Sequence, residues 1–507
     1  MIKIGKAKKI VAVGVAAIIT VTAVVYNINL KNNNTVSAKE EALSSSTSTT
    51  ATSGKTAEYT SIFKKDSVID IKIEINDKDF ENILSNPTAE EYKSANVTVN
   101  GTTVKNVGFR AKGNLTLNSV ANTDSDRFSF RIKLDKYIKG QNLLGLDEFV
   151  VNNMYADPSY MREYLSYEAL KSIGADVPEA VFTNLYINGK LYGFYLCVEA
   201  IDNSFLQKNF GSDSGSLYKQ DKGSTLQYVE GSNYDSSTLN IGKDDTKADL
   251  KRFIKILNEM PKGEKGDIES VLDVDSALKY IAANAVLGNY DSYNGNMFQN
   301  YYLYGQNSKF TVIPWDYNMS MAGFGGGKLT DISIDEPVLG VNINNLPLIK
   351  NLLAVEEYKA KYYDYIKQLL SYLKNFESRV TEVATIIRPY VEKDPSKFYT
   401  IEQFEANIKY SETDTSSTGS NTEKANATQN AQNQQNVQNG KDTNNLKPDT
   451  NTGASQNTNG NSNKGNQGQK PERMPEGFSK GGGIMGVSTS IVNYIRDRVE
   501  NINKQLS

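Results

Sequence analysis

The sequence predicts an α+β protein of two lobes with a cleft between them, and three observations predict it. The first half of the chain reads as strands, the second half reads as helices, and two short polar motifs sit within the later part. Residues 68–75 alternate strictly between apolar and polar side chains, and residues 128–134 do the same, which is the period of a half-buried strand. Further on, Leu278, Ile281, Ala282 and Ala285 recur at helical spacing, and helical patterns return over 355–374 and 376–392. Strands followed by helices, rather than alternating with them, fit an α+β architecture, and its cleft is the natural place for a site.

Local signals order these elements. Asp157 and Pro158 form a helix start, Asp as cap and Pro at the first helical position. That helix continues with Met161, Tyr164, Leu165, Glu168 and Ala169 on one face. Asn188 and Gly189 join residues 182–187 to 191–198 as a hairpin. Asp275 caps the helix that leads into the first polar motif, and residues 301–304 and 310–313 flank a turn at 305–308 as a second hairpin. The single cysteine, Cys197, lies in an apolar strand, so it reads as buried rather than nucleophilic, and no intrachain disulfide is possible.

The ends read differently. Lys3, Lys6, Lys8 and Lys9 precede an uncharged stretch over 10–26, and Val36, Ser37 and Ala38 resemble a small-residue cleavage site. Residues 1–38 therefore read as a signal peptide or N-terminal membrane anchor, and 39–64 as a flexible linker. Either reading places the rest outside the cytoplasm: exported, at the cell surface, membrane-anchored or secreted. Residues 411–483 are rich in Asn, Gln, Thr, Ser and Gly and bury too little apolar surface to offset their ordering entropy. Beyond them, Ile491, Tyr494, Ile495, Val499, Ile502 and Leu506 keep a helical stripe. The polar tract is thus expected to be a disordered insertion, with the folded domain formed by 65–410 plus 484–507.

Composition narrows the chemistry. The chain has no histidine, which removes Ser-His-Asp and Cys-His catalysis and His-ligated zinc. What remains is carboxylates, Lys, Arg, Tyr, amides and hydroxyls, and any metal is expected to be a hard, oxygen-liking ion. A net charge of -3 without a basic block outside the N-terminus argues against nucleic acid as a partner.

The polar motifs are 289–296 and 313–318. Asp291 and Asn296 stand five residues apart, and Asp316 follows on the next hairpin. That spacing suits a protein-kinase-like phosphotransferase: one Asp orients the acceptor hydroxyl, an Asn five positions on binds metal, and a later Asp holds metal against the nucleotide phosphates. His-Arg does not precede the first Asp, and Phe-Gly does not follow the second. The alternative for Asp291 is an Asx turn or helix cap. Asp316, ending an apolar strand after Trp315, is costly to bury unless paired or metal-bound.

Several segments together resemble the spore coat protein H (CotH) kinase family, an atypical protein-kinase-like group. They are residues 107–114 (VGFRAKGN), 155–162 (YADPSYMR), 185–193 (LYINGKLYG), 198–202 (VEAID), 217–219 (LYK), 289–300, 313–318 (IPWDYN) and 494–498 (YIRDR). The resemblance implies a two-lobed atypical protein-kinase-like fold, with a strand-rich N-lobe and a helical C-lobe. It also implies transfer of the ATP γ-phosphate to Ser or Thr of proteins, with Mg²⁺ or Mn²⁺. Asp291 falls at the catalytic acid, Asp316 and Asn296 at the metal ligands, with Asn300 and Asn318 as alternatives to Asn296. Lys133 and Glu168 are the choices for gripping the phosphates, and Arg131 and Glu163 are close rivals because strand register decides which side chains face the cleft. Arg110 and Lys112, in a glycine-containing turn, and Lys219 are further phosphate contacts. Glu199 and Asp202 have the position of an interlobe hinge, Asp202 toward the ribose. Residues 323–327 lie where an activation segment would be. The family often has His just before Asn300; here Gln299 stands in that place.

The expected partner is a Ser/Thr-rich surface or spore-coat protein, or the chain's own tract at 411–420, with membrane contact through an uncleaved N-terminal segment. The alternative is a non-catalytic kinase-like scaffold or adhesin. A carboxylate-based glycosidase is a third reading, weakened by the presence of one Trp only.

Overall fold

The computed structural model describes residues 57–324, 328–412 and 489–507. Its strands are β1 Val68–Ile75, β2 Lys93–Val99, β3 Thr102–Lys112, β4 Ser129–Lys133, β5 Glu148–Asn152, β6 Ala180–Ile187, β7 Lys190–Glu199, β8 Ser216–Gln220, β9 Ser237–Ile241, β10 Tyr301–Gln306 and β11 Lys309–Pro314. Its α-helices are α1 Asp77–Ser85, α2 Leu115–Ala121, α3 Arg162–Ser172, α4 Asn203–Phe210, α5 Ala248–Asn258, α6 Val274–Leu287, α7 Pro347–Leu353, α8 Glu356–Leu373, α9 Phe376–Lys393, α10 Ile401–Asn407 and α11 Ile491–Leu506. The fold is mixed α+β. Strands β1 to β7 close a barrel in the order β1-β2-β3-β4-β5-β7-β6, and β8 to β11 form a second sheet in the order β11-β10-β8-β9. β1 runs parallel to β6, and the other paired neighbours are antiparallel.

Alternation along the barrel strands separates two apolar cores. Val107, Phe109, Ala111, Phe130, Ile132, Phe149, Val151, Tyr195 and Cys197 point inward and form one cluster. Val150, Phe194, Leu196 and Val198 point outward into a second, larger cluster shared with α3, α6, α8, α9 and α11. Cys197 is buried inside the barrel, where burial pushes its thiol pKa up. The β6–β7 turn has positive φ at Asn188 (48°) and Gly189 (78°), as a two-residue type I′ hairpin requires. The Asn188 side chain also bonds both backbone groups of Ile75 at 2.9 Å, fixing the end of β1.

Two helix starts differ from the sequence reading. α3 begins at Arg162, not at Pro158. Ala156 and Tyr160 have left-handed φ (66° and 60°), so the chain turns twice before the helix. The Asp157 carboxylate collects the N–H groups of Ser159 and Arg162 at 3.0 and 2.9 Å and pairs with the Arg162 guanidinium at 2.6 Å. α6 begins one residue before Asp275, after Asp273, whose N–H bonds Phe310 O at 2.7 Å.

Residues 1–38, the linker as far as 56, residues 325–327 of the glycine-rich loop and the tract 413–488 lie outside the described residues. The rest of the expected linker is not flexible: Glu58–Phe63 form a 3₁₀ helix whose Tyr59, Ile62 and Phe63 are buried against the barrel core. No helix among the described residues is long and apolar enough to cross a membrane. α11 packs into the larger core through Ile491, Val492, Tyr494, Ile495 and Ile502.

A buried ion pair ties the barrel to the end of α9. Arg127 and Asp394 are both fully buried and meet at 2.6 Å, and Arg127 also donates to Asn153 O at 3.1 Å. Removing the carboxylate strands a buried cation, which costs about 3–5 kcal/mol. Asp394→Ala is expected to lower the urea midpoint markedly, whereas breaking the exposed Lys504–Glu500 pair is expected to leave it essentially unchanged.

Candidate active site

A cavity of about 600 Å³ lies against the outer face of β3, β4 and β5, walled on the far side by α3, β8, the 291–300 loop and the 315–319 segment. Register explains which side chains enter it. Phe109 and Ala111 fill the barrel, so Arg110 and Lys112 project outward; Arg131 lies opposite Arg110 on β4. The two cations therefore stand on strand β3 itself, and only Gly113, with φ +131°, begins the turn.

The core of the site is a chain of polar contacts. Lys112 Nζ donates to Asn152 Oδ1 at 3.0 Å, and Asn152 Nδ2 donates to Glu163 Oε2 at 2.8 Å. Tyr167 Oη donates to the other oxygen of Glu163 at 3.1 Å and accepts the N–H of Asp316 at 3.2 Å. Burial lowers the Lys112 pKa, against the pull of the Asp316 and Glu163 charges. Burial and the Asp316 charge raise that of Glu163, against the Asn152 hydrogen bond and Lys112. Each charge favours the other's ionised form against the burial that disfavours both: a half-buried Lys and a buried Glu bridged by one amide.

Asp291 faces the same cavity. Gln299 Nε2 donates to its Oδ1 at 2.7 Å, and Asn300 Nδ2 donates to its Oδ2 at 3.0 Å and its backbone O at 2.7 Å. Gln299 thus supplies a donor at the place where the family often has histidine. Burial, then the Asp316 charge, push the Asp291 pKa up to about 6, while the two amides pull it down. Asp316 and Asn300 have left-handed φ (59° and 63°), a conformation that costs roughly 1–2 kcal/mol in residues with a Cβ and gathers at functional sites.

The sequence-predicted residues divide sharply. Asp291, Asp316, Arg110 and Lys219 line the cavity, as do Asn300, Asn318, Arg131 and Glu163. Arg110 is engaged by Glu90, and Lys219 by Asp221 at 2.6 Å. Asn296 is exposed and absent from the lining, to which Asn300 and Asn318 belong. The Lys133–Glu168 pair does not form. Lys133 lies opposite Gly108, four residues and about 13 Å along the strand from Lys112. It pairs with Glu148 and Asp135, both at 3.4 Å. Glu168, five residues after Glu163, is turned about 140° around the helix. It is held by Arg379 at 2.7 Å and Lys65 at 3.1 Å.

Glu199 and Asp202 are outside the cavity lining as well. Glu199 is buried among Tyr59, Lys208 (2.7 Å) and the Glu179 N–H (2.9 Å). Asp202 caps α4 through the N–H groups of Ser204 and Phe205 at 3.0 and 3.3 Å, and burial pushes its pKa up to about 8. Asn152 and Tyr167 were not anticipated. A polar residue closing the apolar strand 148–152, and a Tyr four places after Glu163 on one helix, are the signals that would have found them.

No group of three or more His, Cys, Asp or Glu side chains arranged to hold a metal occurs among the described residues. The donor set here suits a cation that takes one or two carboxylates and completes its shell with phosphate and water, as Mg²⁺ does. Asn300 must turn its Nδ2 to the Asp291 carboxylate, which directs its Oδ1 away from it as a further hard donor.

The chain belongs to the CotH kinase family: the family described as CotH kinase protein matches residues 109–454, more than half of the chain. Among individual relatives, the chain is 29% identical over 274 residues to the inner spore coat protein H of Bacillus subtilis (strain 168), covering 52% of this chain and 73% of that protein.

The Asp291 value gives a pH expectation. Its base form is present above about 6 and is lost as pH falls through that value. Burial is the larger cause of the rise and the Asp316 charge the smaller; a cation bound at Asp316 would cancel the latter, so carboxyl NMR titration is expected to give a midpoint near 6 without metal and a lower one with Mg²⁺. Asp316→Asn is expected to lower it too.

Proposed function

We propose that the chain is an atypical protein kinase, transferring the γ-phosphate of ATP to Ser or Thr hydroxyls of a protein with Mg²⁺ or Mn²⁺. The observation that carries this is the meeting of Lys112, Asn152 and Glu163 with Asp291 and Asp316 in one cavity. On this reading the barrel is the N-lobe of a two-lobed kinase-like fold, and the second sheet with its helices is the C-lobe. Lys112, kept in place by Asn152 and Glu163, meets the phosphates; Arg110 and Lys219 stand at the rim for the same charge. Asp316, with Asn300 or Asn318, would hold the metal, which when bound neutralises phosphate charge during transfer.

Asp291 receives the proton of the acceptor hydroxyl. The hydroxyl oxygen forms its bond to the γ-phosphorus as the bond to the β–γ bridging oxygen breaks, and ADP leaves. Catalysis is then mostly positioning and charge stabilisation. The relative's name supports a spore-coat setting, and the N-terminal reading supports an exported or tethered chain with a Ser/Thr-rich coat or surface protein as acceptor.

The test is binding and transfer with labelled ATP on residues 57–507. Metal-dependent ATP binding is expected, abolished by Asp316→Ala, weakened about tenfold or more by Lys112→Met, and unchanged by Lys133→Met. Absence of any metal-dependent binding by the wild type would overturn the proposal in favour of a scaffold.

A further inference from the structure

We propose that Tyr167 is a positioning residue for the cation site, setting the backbone of Asp316 through one hydroxyl that also fixes Glu163. This deepens the phosphotransfer reading and rests on it for the identity of the ligand. The geometry stands independently. Tyr167 is 2% exposed, and among the described residues its hydroxyl is the one group hydrogen-bonded to both sides: it donates to Glu163 Oε1 at 3.1 Å and accepts the Asp316 N–H at 3.2 Å.

Both directions are chemically fixed. Burial and the neighbouring Glu163 and Asp316 charges hold the phenol protonated, so it is a donor to the carboxylate. An N–H can only donate, so the same oxygen must accept it. Asp316 needs this support because its φ and ψ of 59° and 63° are left-handed, and the turn that follows, Tyr317–Met319, has no cap from the Asp316 side chain. The Asp316 carboxylate is thus left free for a ligand while its backbone is held from α3.

A second hydroxyl acts at the other end of the turn. Ser166 Oγ meets Ser320 Oγ at 2.7 Å, and the Tyr167 and Tyr317 rings lie 6.0 Å apart. Adjacent residues of one helix thereby clamp both ends of a five-residue segment, but only Tyr167 touches the residue that offers the carboxylate. A purely structural clamp would make the two hydroxyls equivalent. A positioning role makes them unequal, and that difference is measurable.

Trp315 is the only tryptophan and lies next to Asp316 in the cavity wall, so its fluorescence reports the segment directly. Residues 57–507 would be titrated with Mn²⁺, following Trp315 quenching and counting bound ion by electron paramagnetic resonance, for the wild type, Tyr167→Phe and Ser166→Ala. Phosphotransfer and the thermal midpoint of the metal-free protein would be measured on the same samples. Tyr167→Phe keeps the ring and is expected to raise the Mn²⁺ midpoint about five- to tenfold and lower kcat by a similar factor, with KM for the acceptor unchanged. Ser166→Ala is expected to move the Mn²⁺ midpoint less than about twofold.

An unchanged midpoint in Tyr167→Phe, or an equal shift in Ser166→Ala, would overturn the proposal. Absence of Mn²⁺ binding by the wild type would overturn it together with the phosphotransfer reading. Wild-type Mn²⁺ binding that Tyr167→Phe weakens, without phosphotransfer by either, would uphold the positioning role and overturn phosphotransfer alone.

Discussion

Asp291→Asn is expected to lower phosphotransfer by about 10²- to 10⁴-fold while leaving metal-dependent ATP binding within about threefold of the wild type. The asymmetry follows from where the carboxylate stands. Asp291 is held by Gln299 and Asn300 rather than by any cation, so its removal takes away the proton acceptor and little of the charge balance that holds a nucleotide. Asparagine is close to isosteric, and Gln299 can rotate its amide to present oxygen to the new NH₂ group, so the loop is preserved. Asp316→Ala is expected to behave in the opposite way, losing binding first. Single-turnover rates at saturating ATP separate the two. An Asp291→Asn enzyme retaining more than about a tenth of the wild-type rate would remove Asp291 from proton transfer and leave it the role of anchoring Gln299 and Asn300.

How much of this was legible depends on which interactions are local. Strands 68–75 and 182–198, the 301–314 hairpin and helices α8, α9 and α11 follow from period and turn chemistry, and the structure has them within a residue or two. Asp291 and Asp316 are legible as cavity residues because a motif carries them. Lys133 and Glu168, the expected phosphate pair, lie outside the cavity that Lys112 and Glu163 line, because strand register and helix face together decide which side chains enter it. Lys112 and Lys133 both point outward from adjacent strands and differ only in their height along the barrel, which no local pattern encodes. Glu163 and Glu168 share one helix and differ by its rotation. The spacing and the resemblance both point to Asn296 as a metal ligand. In this loop the cavity face is reached by Asn300 instead, after left-handed turns at Phe298 and Asn300.

Truncation after residue 488 is expected to abolish folding, whereas replacing residues 413–488 by a short Gly/Ser linker is expected to leave both fold and activity close to the wild type. The first half follows from magnitudes. α11 buries five large apolar side chains, Ile491, Val492, Tyr494, Ile495 and Ile502, in the main core. At about 1.5–3 kcal/mol each, they contribute about as much as the whole stability of an ordinary domain, roughly 5–15 kcal/mol. Arg498 adds to this loss. Its fully buried guanidinium donates to Ala285 O near the C-terminal end of α6 (3.0 Å), Thr330 O (2.8 Å) and Ile332 O (2.6 Å), and truncation would leave those carbonyls without it. The second half follows from how the chain leaves and returns. Ser411 N–H donates to Asn493 Oδ1 at 3.0 Å, Asn493 Nδ2 donates to Ser411 O at 2.8 Å, and Ser490 Oγ donates to Lys409 O at 2.7 Å. The two ends of the tract are thus fastened side by side, so a few residues span the gap, and shortening a loop lowers its closure entropy cost only slowly. Solubility, the urea midpoint and ATP-dependent labelling of the two variants check the contrast. A soluble, cooperatively unfolding truncation would show that α11 is an accessory rather than part of the core, and loss of labelling in a stable deletion would place the acceptor hydroxyl within the tract itself.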